Sequence, residues 1–523
     1  MSSLYKNDKP TMRTPLLLFL ILTVSVLSVR SQSITITPNG ITPASSHPRL
    51  TYDAILALSS PAEGDIAYDI TFKCLRVFNG HKWVCTITSN PDLAPNITVI
   101  ASEGGAESDH AQGVAIDASG NVYVVGNFSG TANFGNMAVT TITSAGNSDV
   151  FIAKYSSTGN LQWVKSAGGT GTDQSQSIAV DATGNVYITG FYRATASFEN
   201  TSITALDRDD IFVAKYDING NFQWVKSAGS TLEDSGKGIA VDASGNVFVT
   251  GFYKLTATFD NQTVTSVGGE DIFMAKYDGS GNLQWVKSAG GTGDDRGLDI
   301  TTDANGNLYV TGHYLETATF GGSSITSTGG FDVFIAKYNG DGVIQWLRTG
   351  GGSSHDYGQS IAVSPNGLIA VTGGFQSFAT FESNGITSAG NFDVFIAKYN
   401  SFGSFLWVRS AGGTGYDYGY GITVDANENS YITGIFAGSA KFGTITKTSA
   451  GNFDLFVAKY AGGGGFQWVQ SAGGFNDDLA TSVAIDSGNN VFFSGSFSFS
   501  TIIGNITLTS MGNSDIIIGR LEK

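Results

Sequence analysis

The stretch Asp271–Gly291, DIFMAKYDGSGNLQWVKSAGG, decides the fold, because it returns with small edits along most of the chain. Its central lysine recurs at Lys154, Lys215, Lys276, Lys337, Lys398 and Lys459, with Arg520 in the seventh slot, and every step is 61 residues. A fixed long period marks a repeat architecture, in which each copy buries its apolar face against the next.

The copy at residues 177–229 shows what one unit predicts. Ser177–Val180 and Val186–Phe191 alternate like strands, and Asp181-Ala-Thr-Gly184-Asn185 between them reads as a three-residue hairpin with glycine in the left-handed region. That turn sets Val180 opposite Val186, Ala179 opposite Tyr187 and Ile178 opposite Ile188. Asp210–Tyr216 and Phe222–Ala228 use the same device around Gly220. Carried on evenly, the register puts Ala214 opposite Trp224, with Phe212, Tyr216 and Phe222 on that face and Val213 and Val225 on the other. Both faces are then apolar, as in a sheet packed between two neighbours. The repeated Trp163, Trp224, Trp285, Trp346, Trp407 and Trp468 read as core, and the alanine of AKY as the small residue an indole requires.

Four strands per unit and seven units predict an all-β, seven-bladed β-propeller. The last unit stops at its third strand, Ile516–Leu521, without a QWVKSAGG strand. Asn96–Gly105, NITVIASEGG, aligns with that missing strand when Val99 takes the tryptophan place, so it is expected to complete the last blade and leave no open sheet edge. The pattern IAVDxxGNVYVTGxF…DxFVAKYxxxGxxQWVKSAGG resembles the bacterial seven-bladed β-propeller repeat called SBBP. The resemblance runs over residues 96–523. It implies the propeller fold in exported or surface-associated proteins, and no defined activity.

Composition agrees with many short strands and tight turns: charged residues are 14%, aromatics 12%, and there are 69 glycines in 523 residues. The net charge of −16 repels phosphate backbones, which argues against a nucleic-acid partner. Residues 1–31 have a basic start at Lys6, Lys9 and Arg13, then the apolar run Leu16–Ser28, which reads as a secretory signal. A membrane anchor is the alternative, and no later segment is apolar enough to span a bilayer. The mature chain is thus expected outside the cytoplasm, secreted or on a bacterial surface, as a monomeric propeller.

Residues 32–95 lack the repeat. Ser33–Ser46 reads as a linker, Thr51–Leu58 as a short helix, and TFKCLRVF–NG–HKWVC as a hairpin turning at Asn79-Gly80. A two-residue turn there faces Cys74 with Cys85, within disulfide reach. A free pair, or half of a metal site, is the alternative. The run PRLTYDAILALSSPAEGDIAYDITFKCLRVFNGHKW also resembles a short module found near the start of bacterial surface and fibre-like proteins, which implies a surface context.

Aspartates recur in three sets. Asp109, Asp173, Asp234, Asp295, Asp356, Asp417 and Asp478 follow the last strand of a unit. Asp149, Asp210, Asp271, Asp332, Asp393, Asp454 and Asp515 begin the third strand, and alternating strand directions place both sets on one rim. Asp117, Asp181, Asp242, Asp303, Asp425 and Asp486 sit in the turns of the opposite face, with Ser364 in the remaining unit. Repetition in every unit points to carboxylates that lock loops by accepting backbone N–H bonds. Calcium is the functional alternative, but a D-x-x-G-N loop has too few carboxylates and no D-x-D-x-D-G loop is present. No cofactor is expected. The five histidines do not recur, zinc spacings and phosphate loops are absent, and the Gly-Gly pairs read as turns.

Departures from the repeat carry more information. Arg296, then His355, Asp356 and Tyr357, then Tyr416, Tyr418 and Tyr420 fall on one rim in neighbouring units. Tyrosine offers an apolar face and a hydroxyl, which suits a glycan or protein ligand; ordinary loop variation is the plain alternative. The sequence thus predicts a non-enzymatic binding or scaffold propeller, adhesive in character. The alternative is a polysaccharide lyase or hydrolase using the propeller funnel, which would require unlike polar groups clustered at the funnel mouth.

Overall fold

In the computed structural model the chain divides into two units, Met1–Leu93 and Ala94–Lys523. The described residues are 95–522 except 137 and 505, together with six short strands and Ile55 in the first unit. The expected signal segment 1–31 lies outside them, as does the helix over 51–58 apart from Ile55. Among the described residues no helix is long and apolar enough to cross a membrane.

In the first unit, Cys74–Phe78 pairs with Trp83–Cys85, and Phe78 stands opposite Trp83. The connection is therefore four residues, not the two expected at Asn79-Gly80. Cys85 faces Arg76 and Cys74 faces Asp69, so the two cysteines are not direct cross-strand partners.

The second unit is built of antiparallel strands with one recurring pattern. In the example copy Gln174–Val180, Val186–Phe198, Thr201–Tyr216 and Phe222–Gly229 pair in chain order. The first hairpin has the expected register, Val180 opposite Val186 and Ile178 opposite Ile188. Its turn closes with Gly184 at φ 84°, and Gly184 N–H donates to the Asp181 carbonyl at 2.9 Å.

The second hairpin differs. Tyr216 pairs Phe222, but a bulge follows, so Lys215 faces Trp224 and Ala214 faces Val225. The expected alanine–tryptophan pair is one residue out of step, because a bulge moves every later side chain to the other face. The tryptophans are not all core either: Trp407 and Trp468 are buried, the other four half-buried. The bulge explains why Lys and Trp travel together. Lys215 Nζ and Trp224 Nε1 both donate to the Gly279 carbonyl, in the turn of the next copy, at 2.9 and 3.3 Å. The same fork joins Lys154 and Trp163 to Ile218, Lys276 and Trp285 to Gly340, and Lys337 and Trp346 to Ser401.

The connection between second and third strands is itself a hairpin, with Phe198 opposite Thr201 at its end. This hairpin reaches the preceding copy, where Ala196 and Ser197 pair with Gly169 and Gly168. The Gly-Gly pairs are therefore strand ends rather than turns. Gly169 is required there: a Cβ would lie 1.8 Å from the Thr195 carbonyl oxygen. At the start of the unit, Ile97–Gly105 pairs with the last strand, Ile506–Leu521, and with Thr131–Phe134.

Candidate functional site

The first strands of the copies are His110–Ile116, Gln174–Val180, Ser235–Val241, Arg296–Thr302, Asp356–Val363, Tyr418–Val424 and Asp478–Ile485. Numbering the copies one to seven in that order, each first strand carries a bulge in its pairing with the second strand. The bulged-out residue sits three after the first-set aspartate: Gln112, Gln176, Lys237, Leu298, Gln359, Tyr420 and Thr481. A bulge re-aims a side chain out of the ladder. All seven of these residues line one cavity of about 680 Å³.

The aspartates around it are frame. Each first-set carboxylate accepts the N–H of the residue four before it, at 2.5–2.8 Å. In six copies it also accepts an N–H twenty residues on. Second-set carboxylates accept the N–H four before them at 2.9–3.2 Å. Burial raises these groups: Asp356, Asp295 and Asp478 to about 7, and Asp109, Asp173, Asp234 and Asp417 to about 6. Among the described residues no three His, Cys, Asp or Glu side chains are arranged to hold a metal.

Of the rim residues singled out by sequence, Arg296, Tyr357, Tyr416, Tyr418 and Tyr420 all line the cavity. Asp356 does not: it is fully buried, and its carboxylate is taken by the N–H groups of Gly352 and Gln376. His355 is exposed outside the lining, its ring parallel to Tyr357 at 6.1 Å and its Nδ1 accepting the Phe331 N–H.

The rings form a continuous arc on copies four to six. His313 meets Tyr357 edge-on at 4.9 Å, Tyr357 meets Phe392 at 5.7 Å, and Phe392 meets Tyr416 at 5.3 Å. Tyr416 stacks on Tyr418 at 5.9 Å, and Tyr418 touches Tyr420 at 5.1 Å. Tyr418 is the packed member; its ring occupies space opened by Gly374, where a Cβ would lie 2.4 Å from it. Tyr357, Tyr416 and Tyr420 remain half-exposed.

Beside the arc, Arg296 and Lys237 both lie over the Phe252 ring, at 4.5 and 5.7 Å from its centre. Arg296 is ion-paired with Glu270, which Lys254 also reaches at 3.3 Å. Lys237 Nζ donates to Gln176 Oε1 at 3.1 Å. Burial, then the nearby Arg296 charge, lower its pKa to about 8. Asp299 is the one carboxylate on the lining. It accepts from Ser360 Oγ and the N–H groups of Ile361 and Ile300 at 2.8–2.9 Å, and burial raises it to about 6. His313 is buried, with its pKa lowered to about 3 by burial and then by Arg296 and His355, so it stays neutral.

Sequence reasoning missed Lys237, Asp299 and the glutamines. The bulge position of Lys237 and the glutamines varies among the copies (Gln, Gln, Lys, Leu, Gln, Tyr, Thr), and Asp299, one residue on, stands where the other copies carry only Gly or Ser.

Comparison with known proteins follows the same lines. The β-propeller repeat (SBBP) family model matches residues 162–190 and 406–434. An uncharacterised WD repeat-containing protein of Acanthamoeba polyphaga mimivirus is 26% identical over 432 residues, covering 65% of this chain and 31% of that one. Regulatory protein FlaEY of Caulobacter vibrioides is 27% identical over 311 residues, 53% of this chain and 32% of its own. The chain thus spans about a third of the length of the curated relatives it matches. Among solved structures, the Neurospora crassa Pan2 WD40 domain is similar with a TM-score of 0.38 at 9% identity, over 82% of this chain and 97% of that one. A gluconolactonase from Xanthomonas campestris is similar with a TM-score of 0.29 at 10% identity, over 82% and 95%. The chain is all-β, and two of its repeats match the β-propeller repeat model.

Proposed function

We propose that this chain is an exported, non-enzymatic seven-bladed propeller that binds a protein or glycan ligand in its central cavity. The observation that carries the reading is the bulge ring: seven equivalent positions face one cavity, and they carry three glutamines, a lysine, a leucine, a tyrosine and a threonine, beside an arc of further tyrosines. A uniform frame with a non-uniform lining is what a specific ligand site on a repeat scaffold requires.

Ring closure is part of the proposal. It is supported by the pairing of Ile97–Gly105 with the last strand. It is also supported by Arg520, which in the lysine slot donates to the Ser157 carbonyl of the first copy at 3.5 Å. Export is supported by the signal-like run before Gln32, and N-terminal sequencing of the mature protein tests it; an intact N-terminus would overturn it.

The lyase or hydrolase reading has Asp299 in its favour, a cavity carboxylate raised to about 6. Against hydrolysis, glycoside cleavage uses two carboxylates, and the lining holds one. The neutral, buried His313 is a poor base.

The test is a glycan and protein array probed with the full chain and with Tyr357→Ala/Tyr416→Ala, alongside an assay for new reducing ends and unsaturated sugars. Loss of array binding in the double variant, without product formation, is expected. Unchanged binding would remove the cavity from the proposal, and catalytic product would replace binding by the enzyme reading.

A further inference from the structure

Resting on the binding reading above, we infer that the cavity's ligand is an acidic saccharide, with a uronate carboxylate between Lys237 and Arg296 and its sugar ring on the tyrosine arc. The first ground is charge. The chain carries 44 acidic and 28 basic residues, yet the cavity lining carries two cations and one carboxylate. Arg296 is balanced by Glu270, and Asp299 is engaged by three donors. Lys237 has an amide oxygen, Gln176 Oε1, as its hydrogen-bond partner among the described residues, and no carboxylate. Glu270 acts on Lys237 only at a distance and is already shared by Arg296 and Lys254, so Lys237 is a half-buried cation with no ion pair of its own among the described residues. Such a cation marks an anion site, and a single charge of this kind matches a carboxylate better than a phosphate dianion.

The second ground is shape. A pyranose ring has a C–H face and a rim of hydroxyls. Tyr357, Tyr416 and Tyr420 line the cavity half-exposed beside copies five and six, and Gln112, Gln176 and Thr481 bring hydrogen-bonding groups to it from copies one, two and seven. The cavity, about 680 Å³, falls within the usual range for small-ligand sites, which fits a short oligosaccharide segment.

The groups facing Lys237 set the pH dependence. They are Arg296 and Phe252, Glu270 behind Arg296, Gln176 from copy two, and Asp299, whose backbone packs against Gly238. With the lysine lowered to about 8, affinity should fall as pH rises through about 8.

Calorimetry of the full chain with tetramers of galacturonate, mannuronate and glucuronate, and with their methyl esters, tests the inference. At least one acid should bind and its ester, identical but uncharged, at least tenfold more weakly. Lys237→Gln should weaken acid binding at least tenfold with its melting temperature retained, Lys237→Arg should retain most of it, and Tyr416→Ala should weaken acid and ester alike. An ester that binds as well as its acid, or acid binding indifferent to Lys237→Gln, overturns the acidic-sugar inference. If Tyr416→Ala still abolishes binding in that case, the cavity reading stands. Binding indifferent to both substitutions overturns the two together. Absence of binding by all three acids, or selective capture of peptides through a free C-terminal carboxylate, overturns the saccharide assignment.

Discussion

On one side of the cavity Gln112, Gln176, Thr481 and Ser482 face inward; on the other, Arg296, Tyr357, Tyr416 and Tyr420 do. Beneath both arcs the frame is the same to within tenths of an ångström. Asp173 accepts the N–H of Gly169 at 2.7 Å and of Arg193 at 3.1 Å, while Asp356 accepts those of Gly352 and Gln376 at 2.8 and 3.1 Å. Repetition in this molecule therefore marks structure, and recognition sits where equivalent positions differ. A carboxylate locking seven loops cannot vary without cost, whereas a bulged side chain aimed into a cavity has no ladder partner to satisfy.

The largest expected effect probes the shared frame. Asp173→Ala and Asp356→Ala each leave two N–H groups without their acceptor, which should cost about 3 kcal/mol in chemical denaturation. The two costs should agree; a difference larger than either hydrogen bond would mean that the arcs do not share one frame. Gly169→Ala and Gly352→Ala come next. The added Cβ would fall 1.8 and 2.0 Å from the carbonyl oxygens of Thr195 and Phe378. Displacing the hairpin should cost about 2 kcal/mol at each site, and a neutral result at either would show that the inter-copy hairpin is not held there.

Smallest per residue is the pH effect. The first-set aspartates have folded pKa values raised above 3.8, so their stabilisation is complete below that value and is lost as pH rises through about 6 to 7. The melting temperature should therefore fall between pH 5 and pH 8, with Asp173→Ala and Asp356→Ala flattening the slope by similar amounts. The turn aspartates Asp117, Asp181 and Asp303 are shifted down despite burial, chiefly by bonds from Asn121, Asn185 and Asn307, and oppose this only as pH falls toward their own range. A melting temperature that rises from pH 5 to pH 8 would mean that the backbone N–H bonds outweigh burial at these carboxylates.

Much of the frame was legible in the residues. The D-x-x-G-N turns give the first-hairpin register directly, because glycine in the left-handed region and the Asp cap act within five residues. The second hairpin was misread by one step, since the bulge beside Tyr216 leaves no mark in composition. The hairpin over 195–204 was missed for a related reason: its partners, Gly168 and Gly169, belong to the preceding copy. At the site, the tyrosines and Arg296 announced themselves as departures from the repeat. Asp356 was misplaced among the ligand residues, because a repeated lock and an exposed neighbour look alike in a list of polar side chains.

By itself the sequence determined the period and the turn and register of each copy's first hairpin, the latter resting on chemistry between near neighbours. Only the tertiary structure decided that Lys237, Tyr357, Tyr420 and Thr481 share a cavity. It also decided that Asp356 lies under the rim and that Arg520 reaches Ser157. These contacts join strands from distant copies, and the bulges that aim the side chains inward are fixed by pairing across the sheet, so no local pattern of residues could specify them.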